Sequence, residues 1–123
     1  MTNPMENIIS NQLPVDKKKS NTQALKSRLD WGEPAFTIID VRDRQTYNQG
    51  HIMGAIPMTM DSLENTAAKS LSRSRDIYIY GGSDADTNQA AQALRNAGFK
   101  NVSELKGGLA AWKVIGGAIE GIV

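Results

Sequence analysis

The chain has 123 residues, of which 40% are hydrophobic and 22% are charged, and its formal net charge is +1. These proportions are those of an ordinary globular protein, and the length predicts one domain rather than two. A charge so close to zero gives no electrostatic reason to expect nucleic acid or a membrane surface as a partner. The absence of cysteine excludes disulfides, thiolate metal ligands and every mechanism with a thiol nucleophile, and a single histidine argues against a metal site.

The apolar runs are too short to span a bilayer, and the first residues lack a basic stretch followed by an apolar one. We therefore expect a cytoplasmic protein that is monomeric and carries no cofactor. Its partner is expected to be another protein or a small ligand, neither of which the sequence identifies.

The first 19 residues mix polar residues, prolines and isolated aliphatic side chains. They predict an N-terminal tail with at most a short edge strand around residues 13–15, followed by a single domain over residues 20–123. The basic run formed by Lys17, Lys18 and Lys19 is interpreted as solvated surface without a function of its own.

From residue 20 onward, helical patterns alternate with patterns typical of buried strands. Residues that commonly accept hydrogen bonds from the first amides of a helix stand before the helical stretches. The predicted caps are Ser20 or Thr22, Asp43, Asp61 with Glu64, and Thr87 or Asn88. The predicted strands are 36–41, 55–58, 77–80 and 102–105, with Pro57 restricting the second to a sheet edge, and the last helix is predicted at 108–115. Strands separated by helices indicate an α/β fold with a parallel sheet covered on both faces.

Residues 77–87 predict a short strand, a tight loop and the start of a helix. Gly81 and Gly82 let the backbone curl, and the first amides of a helix have no acceptor within it, so such a loop favours an anion or a thiolate. In a parallel sheet, ligands bind beyond the carboxyl ends of the strands, where this loop is expected. We predict a ligand-binding loop made of Gly81, Gly82, Ser83, Asp84, Ala85, Asp86 and Thr87.

The same loop offers little for catalysis. Ser83 and Thr87 carry hydroxyl groups, but a serine mechanism needs an oriented base beside the nucleophile. The only histidine, His51, is interpreted as a residue that makes a structural hydrogen bond in its turn. Asp84 and Asp86 are interpreted as turn and capping residues rather than as ligands of a divalent cation. We predict no catalytic residue and no metal site.

Several short motifs occur in a fixed order between about residues 35 and 119. They are Ile39-Asp40-Val41-Arg42-Asp43, Gly50-His51-Ile52 followed by Gly54-Ala55-Ile56, the loop after Tyr80, Ala97-Gly98-Phe99 with Asn101-Val102, and Leu105 with Gly107-Gly108 and Trp112. In order and spacing these motifs resemble the rhodanese-like domain family, the homology domain of the sulfurtransferases.

The resemblance implies a three-layer α/β/α fold around a five-stranded, mainly parallel sheet. In active members a cysteine opens a six-residue loop and accepts sulfane sulfur as a persulfide, and this chain has Gly81 at that position. The loop 81–86 has the six-residue length of the sulfur-handling branch, whereas the phosphatase-like branch has one residue more. Active members often carry an arginine at the end of the loop, where this chain has Asp86. Asp40 and Arg42 are expected to be structural or to form the rim of the pocket.

Three hypotheses remain open on this basis. The first is a catalytically inactive binding or regulatory domain that acts through residues 81–87, with the carboxylate of Asp84 or Asp86 plugging the amides of the loop. The second is a protein that takes part in sulfur transfer from thiosulfate or a persulfide carrier while a partner supplies the thiol. The third is a structural module that pairs stably with another protein.

Overall fold

The protein is described by a computed structural model for residues 20–121, and the edge strand predicted around residues 13–15 lies outside the described residues. In chain order, the elements are α1 (Asn21–Asp30), β1 (Phe36–Asp40), α2 (Arg44–Gln49), β2 (His51–Ile52), β3 (Ile56–Pro57), α3 (Leu63–Ser70), β4 (Asp76–Tyr80), α4 (Asp84–Asn96), β5 (Asn101–Glu104), α5 (Gly108–Val114) and β6 (Ile119–Glu120).

The central sheet has the spatial order β3-β1-β4-β5, and all neighbouring strands in it are parallel. In register, Asp40 lies beside Tyr80, and Ile79 lies beside Glu104. The loops that follow β1, β4 and β5 therefore all lie at the carboxyl end of the sheet. The predicted α/β fold with a mainly parallel sheet is confirmed, as is the edge position of the strand that contains Pro57. Within the described residues the sheet has four strands, one fewer than the five that the resemblance implies. A separate antiparallel pair joins β2 to β6.

Side chains from successive strand residues point to opposite faces of the sheet, and each face has its own core. On one face, Ile39, Ile77 and Ile79 pack in a cluster that includes Leu94 from α4. The other face carries Ile38, Tyr78, Leu25 from α1 and Trp112 from α5. Helices therefore cover both faces, which confirms the predicted three layers. Complete burial of a large aliphatic side chain of this kind typically contributes about 1.5 to 3 kcal/mol, so the two cores provide most of the stabilisation.

Two of the predicted helix starts are confirmed. Ser20 caps α1 in a reciprocal pair of hydrogen bonds with Gln23, and the carboxylate of Asp43 accepts from the amide of Thr46 at the start of α2. The capping box predicted at Asp61 and Glu64 is wrong.

The N-cap of α3 is Ser62, which makes no capping hydrogen bond through its side chain. Its backbone has helical angles, φ −113° and ψ 0°, instead of the extended conformation that aims a capping side chain at the helix amides. Asp61 accepts a hydrogen bond from the hydroxyl group of Thr59 at 2.7 Å.

Candidate functional site

The loop after β4 is shorter than the sequence predicts, because α4 begins at Asp84. Its N-cap is Ser83, whose Oγ accepts from the amide of Asp86 at 3.1 Å. The predicted cap at Thr87 or Asn88 is therefore wrong. The first turn of α4 supplies the residues from Asp84 onward, so only residues 81–83 are loop.

Thr87 holds this loop in place from inside the protein. It is 1% exposed, its hydroxyl group accepts from the amide of Gly81 at 2.8 Å, and the same hydroxyl donates to the carbonyl oxygen of Ser83 at 3.0 Å. One side chain thus connects both ends of the loop. A buried hydroxyl group with a donor and an acceptor in place is not available as a nucleophile.

Four consecutive amides, in the loop and at the start of α4, have no hydrogen-bond partner among the described residues. Within residues 20–121, the N–H groups of Gly82, Ser83, Asp84 and Ala85 have no hydrogen-bond acceptor, whereas those of Gly81 and Asp86 are satisfied. Helix-start amides of this kind favour an acceptor or an anion as ligand. The predicted clustering of amide donors in this segment is therefore present.

Glycine at position 81, where the resemblance implies a cysteine in active members, is not required by backbone conformation, because its φ lies outside the left-handed region. A side chain there would nevertheless be crowded. An added Cβ would stand 3.1 Å from the Cβ of Asp86 and 3.1 Å from Cγ2 of Val41. A residue larger than glycine would require its neighbours to shift by a few tenths of an ångström.

The loop forms one wall of a cleft of about 410 Å³, which we call the loop cleft. Its other wall is the start of α5, which the sequence analysis did not assign to the site. Gly107 and Gly108 have φ values of 80° and 53°, and an added Cβ on Gly108 would lie 3.2 Å from the carbonyl oxygen of Gly81. Glycine at these positions therefore lets α5 approach the loop. The cleft is lined by Arg42, Gly81, Gly82, Ser83, Asp84, Gly107, Gly108, Leu109 and Ala110.

The carboxylates of Asp84 and Asp86 do not form the plug that the sequence predicts. Oδ1 of Asp84 accepts a hydrogen bond at 2.8 Å from the amide of Gly107, on the opposite wall of the cleft. The carboxylate of Asp86 accepts no hydrogen bond from the residues that the structure describes. Neither carboxylate occupies the amides of its own loop.

Arg42 lines the cleft, but the carboxylate of Asp40 beneath it compensates its positive charge. Asp40 is 0% exposed, and Arg42 donates to it through Nε at 3.0 Å and through Nη2 at 2.7 Å, with a further bond to the carbonyl oxygen of Gly50 at 2.6 Å. Burial opposes the charged form of Arg42, but the hydrogen bonds and the charge of Asp40 outweigh it, so the pKa of Arg42 is raised. Of the two predicted rim residues, Arg42 lines the cleft and Asp40 lies beneath it.

Tyr80 belongs to the same buried group. Its hydroxyl group accepts from the amide of Ile52 at 3.0 Å, and the side chain is 0% exposed. Burial, followed by the hydrogen bond to Asp40 and the charge of Asp40, raises the pKa of Tyr80 well above its ordinary value. The residue before Gly81 therefore stays neutral and fixed.

His51 stands apart from the loop cleft, in the contacts that hold β2 to β6. Its Nδ1 is 2.7 Å from the carbonyl oxygen of Tyr47, whose ring stacks on the imidazole at 3.7 Å, and its Nε2 is 3.3 Å from the carboxylate of Glu120. Glu120 also accepts from the amide of Gly54 at 3.0 Å. These contacts agree with the structural interpretation of His51.

The contacts between β2 and β6 depend on pH through the carboxyl group of Glu120. Its pKa is lowered, first by the hydrogen bond from Gly54 and then by His51, while burial acts in the opposite direction. A carboxyl group with a lowered pKa in the folded state adds stability above its unfolded pKa, and that stability is lost as the pH falls through the folded pKa. We expect the difference in urea midpoint between the native protein and Glu120→Gln to be present at pH 6 and to disappear well below the ordinary glutamate pKa of about 4.3.

The control is Glu64→Gln, because the carboxylate of Glu64 accepts no hydrogen bond from the described residues. Urea titrations of the three proteins from pH 6 to pH 3 measure the effect. A Glu120→Gln difference that follows the Glu64→Gln difference at every pH would contradict the assignment.

Within residues 20–121, no group of three or more histidine, aspartate or glutamate side chains is placed to hold a metal ion. No helix in that range is long and apolar enough to cross a membrane. The expectations of a cytoplasmic, monomeric protein without a cofactor stay predictions.

Comparison with known proteins agrees with this geometry. The family model described as "Rhodanese-like domain" matches residues 21–114. The YibN protein of Escherichia coli is 32% identical over 100 residues, which are 80% of this chain and 69% of that protein. The thiosulfate sulfurtransferase GlpE of Coxiella burnetii is 33% identical over 78 residues, which are 63% of this chain and 72% of that protein. The crystal structure of the Alr3790 protein from Anabaena has a TM-score of 0.80 and 65% identity, and the match covers 83% of this chain and 91% of that one. The chain therefore belongs to the rhodanese-like domain family.

Proposed function

We propose that this protein is a rhodanese-like domain that binds a ligand or partner through the loop cleft without turning it over. The observation that carries the proposal is the absence of cysteine from the chain, and the resemblance to the family puts Gly81 at the cysteine position. No side chain here can hold sulfur as a persulfide. The cleft and its four free amide donors nevertheless remain as a surface that can be recognised.

The charges around the cleft favour some ligands over others. A helix start typically stabilises an anion by about 0.3 to 1 kcal/mol. A carboxylate 4 Å away repels an anion by about 1 kcal/mol even in bulk water, and Asp84 and Asp86 both lie in the first turn of α4. Since Asp40 compensates Arg42, the repulsion is not offset from the other side. We therefore expect small free anions to bind weakly.

A ligand that suits this cleft offers hydrogen-bond acceptors without a net negative charge. The backbone carbonyl groups of a partner protein have this chemistry, because each is a neutral acceptor with two lone pairs. Such a partner could accept from the free amides of Gly82 and Ser83 and place a basic side chain beside Asp86. The proposal thus favours a protein partner over thiosulfate.

Two measurements test the proposal. Thiosulfate and cyanide are incubated with the purified protein, and we expect no thiocyanate above a no-protein control. Amide resonances are then followed during titrations with thiosulfate and sulfate at constant ionic strength, and we expect weak, saturable shifts at Gly82, Ser83, Asp84 and Ala85. Turnover would overturn the non-catalytic assignment, and tight binding of thiosulfate or sulfate at these amides would overturn the preference of the cleft for a neutral acceptor.

The second candidate function is participation in sulfur transfer with a partner that supplies the thiol. It is favoured by the similarity to a thiosulfate sulfurtransferase over most of that protein's length. Its test is a small-molecule persulfide with cyanide as the acceptor, in the presence and absence of the protein. Acceleration that depends on the protein concentration would favour this candidate, whereas equal rates would favour binding alone.

A further inference from the structure

Asp84 joins the two walls of the loop cleft through a single hydrogen bond. It is the first residue of α4, and its carboxylate accepts from the amide of Gly107, which stands 23 positions later in the chain. Both residues line the cleft. Gly107 is the N-cap of α5, and the acceptor for its own amide comes from the other wall.

Asp86 provides a natural comparison in the same turn. It carries the same charge and is exposed, as Asp84 is, and it lies two positions away. Its carboxylate makes no hydrogen bond to the other wall among the described residues. The two aspartates therefore carry the same charge in the same turn, and they differ in that only Asp84 is fixed by a contact across the cleft.

We propose that Asp84 is a specificity-determining residue that controls which ligands enter the loop cleft. While its carboxylate accepts from Gly107, it ties the loop to α5 and fixes a negative charge beside the free amides. A ligand with a negatively charged group at these amides is repelled by the fixed carboxylate, whereas a neutral acceptor is not. The inference rests on the proposed binding function of the cleft.

The experiment compares Asp84→Ala with Asp86→Ala and uses sulfate as the probe. Each variant removes one negative charge from the first turn of α4, but only Asp84→Ala also removes the contact with Gly107. In amide titrations at constant ionic strength, we expect Asp84→Ala to bind sulfate roughly tenfold more tightly than the native protein, and Asp86→Ala to gain no more than about threefold.

Asp84→Asn separates the contact from the charge. Its amide oxygen still accepts from Gly107 but carries no charge, so we expect sulfate binding to tighten about as much as in Asp84→Ala. Hydrogen exchange at the Gly107 amide reports the contact directly, and we expect it to accelerate in Asp84→Ala and to stay unchanged in Asp86→Ala. Resonances of β1 and β4 verify that each variant is folded.

The outcomes separate the two proposals. Equal gains for Asp84→Ala and Asp86→Ala would overturn the role of Asp84 and leave the binding function of the cleft intact. Unchanged exchange at Gly107 in Asp84→Ala would also overturn the role of Asp84. If sulfate moves no loop amide in any of the four proteins, the binding function fails and the inference fails with it.

Discussion

Replacement of Asp40 by alanine is expected to lower the free energy of unfolding by about 3 to 5 kcal/mol. Asp40 is completely buried, and it holds the guanidinium group of Arg42, whose side chain is only 12% exposed. Without Asp40, the positive charge stays largely out of water and loses its counterion. Urea denaturation followed by circular dichroism measures the change.

Asp30→Ala is the matched control. Asp30 is also paired with a basic side chain, Lys26 at 2.9 Å, but its own side chain is 59% exposed and the pair spans one turn of α1. Such pairs contribute about 0.3 to 0.5 kcal/mol, so the control should change stability very little. If Asp40→Ala lowers the free energy of unfolding by less than about 1 kcal/mol, the Arg42 side chain has turned into solvent. That result would contradict the fixed pairing of Arg42 with Asp40 at the cleft.

The second large effect is expected when a thiol is placed in the loop. In Gly81→Cys, we expect a thiol pKa at or above the ordinary value of about 8.5, although helix-start cysteines commonly have a pKa of about 3.5 to 7.5. An added Cβ at position 81 lies 3.1 Å from the Cβ of Asp86, so the thiol group is held close to a carboxylate. The negative charges of Asp84 and Asp86 disfavour a thiolate and counteract the free amides.

The pH dependence of alkylation by iodoacetamide measures this pKa without interference, because the chain has no other cysteine. In the double variant Gly81→Cys with Asp86→Ala, we expect the pKa to fall by roughly one unit or more. Gly81→Ala serves as the control for crowding, and its stability shows what the additional Cβ costs. A thiol pKa well below 7 in the single variant would contradict the dominance of the carboxylates.

The pattern of the sequence was sufficient to predict the sheet, its parallel strands and the position of the loop at the carboxyl end of β4. These features follow from apolar runs and from Gly81 and Gly82, which are local signals. The helix starts were less predictable. Ser83, Thr87 and Asn88 all have side chains that can cap, and the choice depends on backbone angles that the packing of the sheet imposes. Thr87 is buried, and its hydroxyl group connects the two ends of the loop. These contacts form only when β4 and α4 are in place.

The opposite wall of the cleft was missed for a different reason. Gly107 and Gly108 were recognised only as part of a family motif, and a stretch near the end of a chain gives no local sign of contact with residue 84. A signal was nevertheless available. Because β4 and β5 are parallel neighbours, the segment after β5 and the loop after β4 both lie at the carboxyl end of the sheet. The glycine pair that follows β5 is therefore expected beside the loop that follows β4.

The position of Tyr80 ties the floor of the cleft to the last strand of the fold. Its hydroxyl group accepts from the amide of Ile52, and Ile52 pairs with Ile119 in the small antiparallel sheet. Only this short chain of contacts separates β6 from the residue that precedes Gly81. We therefore expect β6 and the base of the loop to open in one cooperative event. A molecule that binds β6 would then change the fraction of time for which the loop cleft is fully formed.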